Sequence, residues 1–126
     1  MKLLLFIAAG GALGAVGRYA TMSAVTKLAG HGFPYGTLVA NVVGSLVLGV
    51  LVEAAALKWN IGMEIRAFLV VGVLGAFTTF STFSLDTVVL YERGHLGLAF
   101  LYVSLSVVLS IGALFLGLSL VRQVLS

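Results

Sequence analysis

The sequence contains no cysteine among its 126 residues. Disulfides, thiolate catalysis and cysteine metal sites are therefore excluded. Proline occurs once, at Pro34, so little interrupts long helices. Charge is scarce: Asp, Glu, Lys and Arg make up 9% of the chain, against about a quarter in a soluble domain. The two histidines, His31 and His95, stand far apart with no metal-binding spacing. The seven basic residues stand singly rather than in a patch, which sets nucleic acid aside as a partner. No nucleotide motif and no nucleophile-and-base motif is present, so an enzyme reading has no support.

What the chain has instead is apolar surface. Hydrophobic residues make up 61% of it, and the mean hydropathy is +1.22. A soluble fold of this size keeps much of its surface wet and cannot bury so much. The surrounding solvent must be lipid, so membrane lipid is an expected partner. A helix crossing a bilayer needs about 20 mostly apolar residues, and four windows qualify: 3–26, 35–57, 66–90 and 96–121. The second opens after Pro34, a residue suited to the start of a helix. The reading is an all-α membrane protein, a single four-helix transmembrane domain over residues 1–126. Met1-Lys2 and the apolar run after it look like a secretory signal, but the run continues past any cleavage site and is taken as a retained helix.

Short connections force up-down neighbours and place both termini on one side. That side holds Lys2, Lys58, Arg66 and Arg122; the other holds Lys27 and Arg93. The bias points the termini to the cytoplasm. It is weak enough that insertion in both orientations is an expectation.

Polar groups inside the spans carry the functional signal. Arg18 lies several residues inside the first span, where an arginine near mid-bilayer costs at least about 2.5 kcal/mol. Either it snorkels to the interface, or it serves anion attraction or structural pairing. Gly10, Gly14 and Arg18 recur every fourth residue, and the two glycines form a close-packing motif that should meet another helix. Asn41 lies about five residues from the centre of the second span, roughly 7 Å at the helical rise. An interhelical hydrogen bond and a pore role are both open to it. Tyr102, Ser106 and Ser110 form a polar stripe on the fourth span. Each serine alone is accounted for by a bond to the carbonyl four residues earlier, whereas three aligned favour a polar path.

The third span is the most unusual. From Phe77 to Ser84 every residue is aromatic or hydroxylic, and Gly72 and Gly75 precede the run. Low helix propensity there predicts a helix broken near mid-membrane, around residue 78. Such breaks are tolerated only where protein or a cavity covers the freed backbone. Hydroxyls, an amide and an arginine are donors, and donors with a positive charge suit an anion; a cation path calls for acidic groups at depth. Phe80 and Phe83 can add electropositive ring edges, although packing is the commoner use of phenylalanine. If the chain pairs with an inverted copy, mid-depth residues of both copies meet at a two-fold axis. Carbonyls of Gly75 and Thr78 from the two could then surround a hard cation.

Three stretches complete the pattern: Gly17-Arg18-Tyr19, Phe33-Pro34-Tyr35-Gly36-Thr37-Leu38 leading to Asn41, and Gly75 through Ser84. Together they resemble the Fluc (CrcB) family of fluoride channels, over essentially the whole chain. The resemblance implies a dual-topology, antiparallel homodimer in the inner (plasma) membrane, with two fluoride pores. It implies a structural sodium ion, Na+, at the dimer interface, held by carbonyls of Gly75 and Thr78. It makes Phe80 and Phe83 the pore phenylalanines and Asn41 the pore asparagine. Ser81, Thr82 and Ser110 become a hydroxyl track bordered by Tyr102, and Arg18 the arginine of the first span. A glutamate is expected late in the third span, where this chain has Asp86. The implied activity is passive export of fluoride, driven by a membrane potential worth about 2.3 kcal/mol per charge per 100 mV, and it lowers fluoride toxicity. The competing readings are a proton-coupled multidrug exporter, which needs a carboxylate deep in the membrane, and a non-transporting assembly subunit.

Overall fold

The computed structural model describes residues 1–125, and all regular structure among them is helical. Helix α1 spans Lys2–Ala29 and α2 spans Tyr35–Leu57. The third span is composite. It comprises α3 (Met63–Arg66), a π-helical segment (Ala67–Leu74), α4 (Gly75–Phe77) and α5 (Phe80–Glu92). Helix α6 covers Leu96–Leu125. The stretches Lys2–Ala29, Tyr35–Leu57, Met63–Glu92 and Leu96–Leu125 are each long and apolar enough to cross a membrane.

The second span has the expected bounds. The other three run further than 3–26, 66–90 and 96–121. Those expectations stopped at Lys27, Arg66 and Arg122, where the apolar run ends. Lys and Arg are good helix formers and their long stems reach back to water, so the helix continues past the apolar limit. What does end α1 is Gly30, whose φ of +93° suits only glycine and whose N–H still reaches the Thr26 carbonyl.

Small residues set the packing. The most extensive helix contact is between α2 and α6. There a methyl group on Gly49 would strike the Leu114 carbonyl, and one on Gly117 would strike the Leu46 carbonyl. The backbones are in direct contact, which is how helices gain dispersion energy in lipid, where no hydrophobic drive exists between them. The second seam joins α1 to the π-helical segment. Gly10 and Gly14 rest on the carbonyls of Phe68 and Val73, and a Cβ on Gly72 would lie 2.8 Å from the Gly10 Cα. This seam continues through Gly17, which faces the Phe77 ring. Arg18 is eight residues from Gly10, about 80° further round the helix. It is half-exposed, with no side-chain partner among the described residues.

Leu13, Val16, Val108 and Phe115 point outward and stay largely exposed, as expected of a surface solvated by acyl chains. At one end of the bundle Phe33, Leu90, Ala99 and Tyr102 form a buried cluster, with Phe83 packed against it. At the other end Arg122 of α6 pairs with Glu53 of α2.

Candidate functional site

The site grows from two residues that leave the helix. Thr78 (φ −83°, ψ 157°) and Thr79 (φ −151°, ψ 120°) are extended, between α4 and α5. β-Branched threonines after a glycine hold a helix poorly. An extended step in a lipid-facing span must find other partners for its backbone groups, and Asn41 of α2 supplies them. Its Oδ1 accepts the Thr79 N–H at 2.7 Å, and its Nδ2 donates to the Thr79 carbonyl at 3.1 Å. The Thr79 hydroxyl caps α5, accepting the Thr82 N–H at 3.1 Å.

These substitutions release two particular carbonyls. In an unbroken helix Gly75 O would receive the Thr79 N–H, and Thr78 O would receive the Thr82 N–H. Both donors are committed elsewhere, to Asn41 and to the Thr79 hydroxyl. The Thr78 N–H keeps its helical bond to the Leu74 carbonyl at 3.0 Å. Gly75 is exposed on the outer surface of the chain.

Beside the step lies a cleft of about 340 Å³. Asn41 and Ser45 of α2, Gly75, Thr78, Thr79, Phe80 and Phe83 of the third span, and Ser106 and Ser110 of α6 all line it. No lining residue is acidic. The Oγ atoms of Ser106 and Ser110 are buried without a partner among the described residues. Neither therefore makes the bond to the preceding turn that would have made it inert. Two unspent hydroxyls in an apolar setting are costly, at about 1–3 kcal/mol each when left unmet, and they are free to donate to a bound species. Phe80 and Phe83 sit with ring centroids 5.6 Å apart at 48°. Phe80 is 78% exposed, so the cleft opens to the outer surface along that side.

The structure thus brings Asn41, Gly75, Thr78, Phe80, Phe83, Ser106 and Ser110 into one place. It leaves others outside the cleft lining. Ser81 is exposed, with its hydroxyl 3.3 Å from that of Thr79, and Thr82 contributes its N–H to the cap. Tyr102 is fully buried, and its hydroxyl donates to Asp86 Oδ2 at 3.0 Å. Thr37 donates to the same oxygen at 2.8 Å. Asp86 is thereby a junction of α2, α5 and α6. Asn41 and Ser45 stand one turn apart on one face of α2, as the sequence spacing indicates; Thr37, one turn earlier on the same face, was not singled out, although that spacing marks it too. No sequence signal marks Thr79 apart from its neighbours.

Asp86→Leu removes the acceptor of two buried or half-buried hydroxyls and should lower stability by about 2–5 kcal/mol. Asp86→Asn keeps an oxygen able to accept both and should cost about 1 kcal/mol. Thermal melting of both variants in detergent measures the difference; equal melting temperatures would show that Asp86 is not the junction.

The four apolar spans, with a largely apolar cleft between them that carries a few polar groups, define a multi-pass α-helical membrane protein with a solute-sized site among its helices. A family model described as "CrcB-like protein, Camphor Resistance (CrcB)" matches residues 5–118. The chain belongs to the CrcB family. It is 52% identical over 122 residues to a protein of Rhodospirillum centenum named fluoride-specific ion channel FluC, with 97% of each chain covered. It is 54% identical over 117 residues to the protein of that name from Agrobacterium fabrum, covering 93% of this chain and 94% of the relative. A Cereibacter sphaeroides protein, also so named, is 54% identical over 119 residues, with 94% of each covered.

Proposed function

We propose that this chain is a fluoride-selective channel of the inner (plasma) membrane, which passively lets fluoride leave the cytoplasm and has no enzymatic activity. The observation that carries the reading is the pair of unpartnered hydroxyls, Ser106 and Ser110, in a cleft free of carboxylates. A small anion needs donors to replace its water shell, and repels any acidic group. The same lack of an acidic residue disfavours a proton-coupled cation exporter. The relatives named fluoride-specific ion channels, aligned over nearly the whole chain, supply the identity of the anion.

In this reading the ring edges of Phe80 and Phe83 face the ion and Asn41 holds the wall in shape. The side of the cleft open at Phe80 is closed by a second, inverted copy, giving an antiparallel dual-topology homodimer in which the extended step lies near mid-membrane. The freed carbonyls of Gly75 and Thr78 fit a structural sodium ion shared by the two copies, because the donors are uncharged oxygens on an exposed face. Such an ion supplies fixed positive charge between the copies. Arg18, half-exposed and unpaired among the described residues, adds to the attraction of anions, and Ser81, Thr82 and Tyr102 extend the hydroxyl lining beyond the cleft.

The test is fluoride efflux from liposomes holding the purified protein, with valinomycin carrying compensating potassium and chloride run in parallel. Fast fluoride release with little chloride release is expected. Phe80→Ile, which keeps apolar bulk but has no ring edge, should slow release at least about 10-fold, the loss of about 1.4 kcal/mol at the barrier. No release from a folded wild-type sample overturns the channel reading, and a wild-type rate in Phe80→Ile removes the ring-edge contribution.

A further inference from the structure

Helix α2 holds the extended step twice, by different means. The Asn41 amide meets both polar groups of Thr79. Three residues further along, the buried Gly44 meets Thr78 by shape alone. A Cβ at Gly44 would strike the Thr78 Cγ2 methyl, and it would lie 3.2 Å from Cδ2 of Phe77. The opposite edge of that ring faces Gly17 of α1, where a Cβ would lie 3.6 Å from Cδ1. Phe77, the last helical residue before the step, is thus slotted between two glycines. Thr78, the first extended residue, rests its methyl in the hollow of one of them.

The Thr78 side chain is tied at both of its branches. Its N–H and its Oγ1 each donate to the Leu74 carbonyl at 3.0 Å, while its methyl occupies the hollow over Gly44. Both branches sit on one Cβ, so a single χ1 angle sets them together. Turning the methyl out of the hollow moves χ1 by about 120° to the next staggered rotamer, which takes the hydroxyl away from Leu74. The Thr78 carbonyl shares a trans peptide with the Thr79 N–H and points the opposite way. Since that N–H is received by Asn41, the carbonyl is directed away from Asn41. Gly44 itself lines the cleft beside Thr78, Thr79 and Phe80.

We propose that Gly44 is a positioning residue for conduction. Its missing side chain receives the Thr78 methyl and so sets the extended step, the cleft wall beside it and the start of α5, which carries Phe80. This rests on the reading of the chain as a fluoride channel. Glycine serves here to admit a neighbour's methyl and not to bend its own backbone, because α2 is helical through position 44 and only Gly30 and Gly94 have positive φ. The requirement is therefore transferable: a methyl added at position 44 is accommodated if one is removed at position 78.

The experiment is fluoride efflux from liposomes, counted per folded channel as judged by size exclusion in detergent. Gly44→Ala should elute as wild type, because the atom in its way is a side-chain methyl that can turn aside, yet release fluoride about 5- to 10-fold more slowly, the effect of one lost hydrogen bond at the barrier. Thr78→Ser keeps the hydroxyl and empties the hollow, and should be slower by about 3-fold, as for one lost methyl contact. The double variant, Gly44→Ala with Thr78→Ser, moves the methyl from one segment to the other at nearly constant volume and should come within about 2-fold of wild type. The same substitution at Gly44 thus slows the wild type and speeds Thr78→Ser, which a general loosening of the bundle would not do. If Gly44→Ala fails to fold, Thr78→Ser and the double variant, neither of which carries the clash, still give the comparison. A wild-type rate in folded Gly44→Ala, or a double variant no faster than Thr78→Ser, overturns the role of Gly44 and leaves the channel reading intact. The absence of fluoride release from wild type, in liposomes shown to contain folded protein, overturns both.

Discussion

Asn41→Asp is expected to reduce fluoride flux at least about 100-fold. A carboxylate at the cleft wall repels the anion by about 3 kcal/mol, at a separation of about 5 Å and an effective dielectric of about 20. The substitution also damages the wall itself. Asn41 meets both polar groups of the Thr79 peptide. Aspartate can still accept the N–H but sets an acceptor against the carbonyl. Asn41→Ala separates the two effects, because it removes the clamp without adding charge. It should melt lower by an amount corresponding to about 2–4 kcal/mol, since two backbone groups lose their partners, yet it should retain more flux than Asn41→Asp. Liposome efflux and detergent melting read the two quantities separately. Equal flux in wild type and Asn41→Asp would remove Asn41 from the ion's path.

Gly117→Val should disrupt folding by forcing two helices apart. The space a side chain would need at Gly117 is filled by the Leu46 carbonyl and the Val50 backbone. Rigid backbone cannot give way, so α2 and α6 must separate and lose the most extensive contact in the chain. The cost is about 3 kcal/mol, at the upper end of overpacking, and the outcome is loss of a monodisperse folded species on size exclusion in detergent. Gly97→Val, at the start of the same helix where nothing lies within 4 Å, should leave the profile unchanged. If both variants elute as wild type, close backbone approach is not what holds the bundle together.

These two residues also show how far the sequence can be read. Asn41 was conspicuous because an amide in a hydrocarbon span demands a partner. Which partner was invisible: a pore ion and an interhelical bond fitted equally well. Only the approach of α2 to the extended step places its amide on the Thr79 peptide. Asp86 was a residue of doubtful role until Thr37 and Tyr102 were found converging on its Oδ2 from two other helices. The aligned stripe of Tyr102, Ser106 and Ser110 was legible from spacing alone. Its members differ in function, because Tyr102 spends its hydroxyl on Asp86 while the serines keep theirs.

The number and character of the spans follow from the sequence by itself. Apolar run length against bilayer thickness is a local property, and no tertiary information alters it. The position of the weak point in the third span is likewise written in the run from Phe77 to Ser84, since helix propensity is local too. What the tertiary structure decided is everything that depends on two helices meeting. It determined which glycines touch backbone and which face outward, and which polar groups are spent within the chain and which remain for a ligand. It also determined that the Thr79 and Thr82 N–H groups bond outside the helical ladder, to Asn41 and to the Thr79 hydroxyl, which leaves the Gly75 and Thr78 carbonyls among those without a helical donor. Those outcomes depend on distances between segments far apart in the chain, and such distances arise only once the helices have packed.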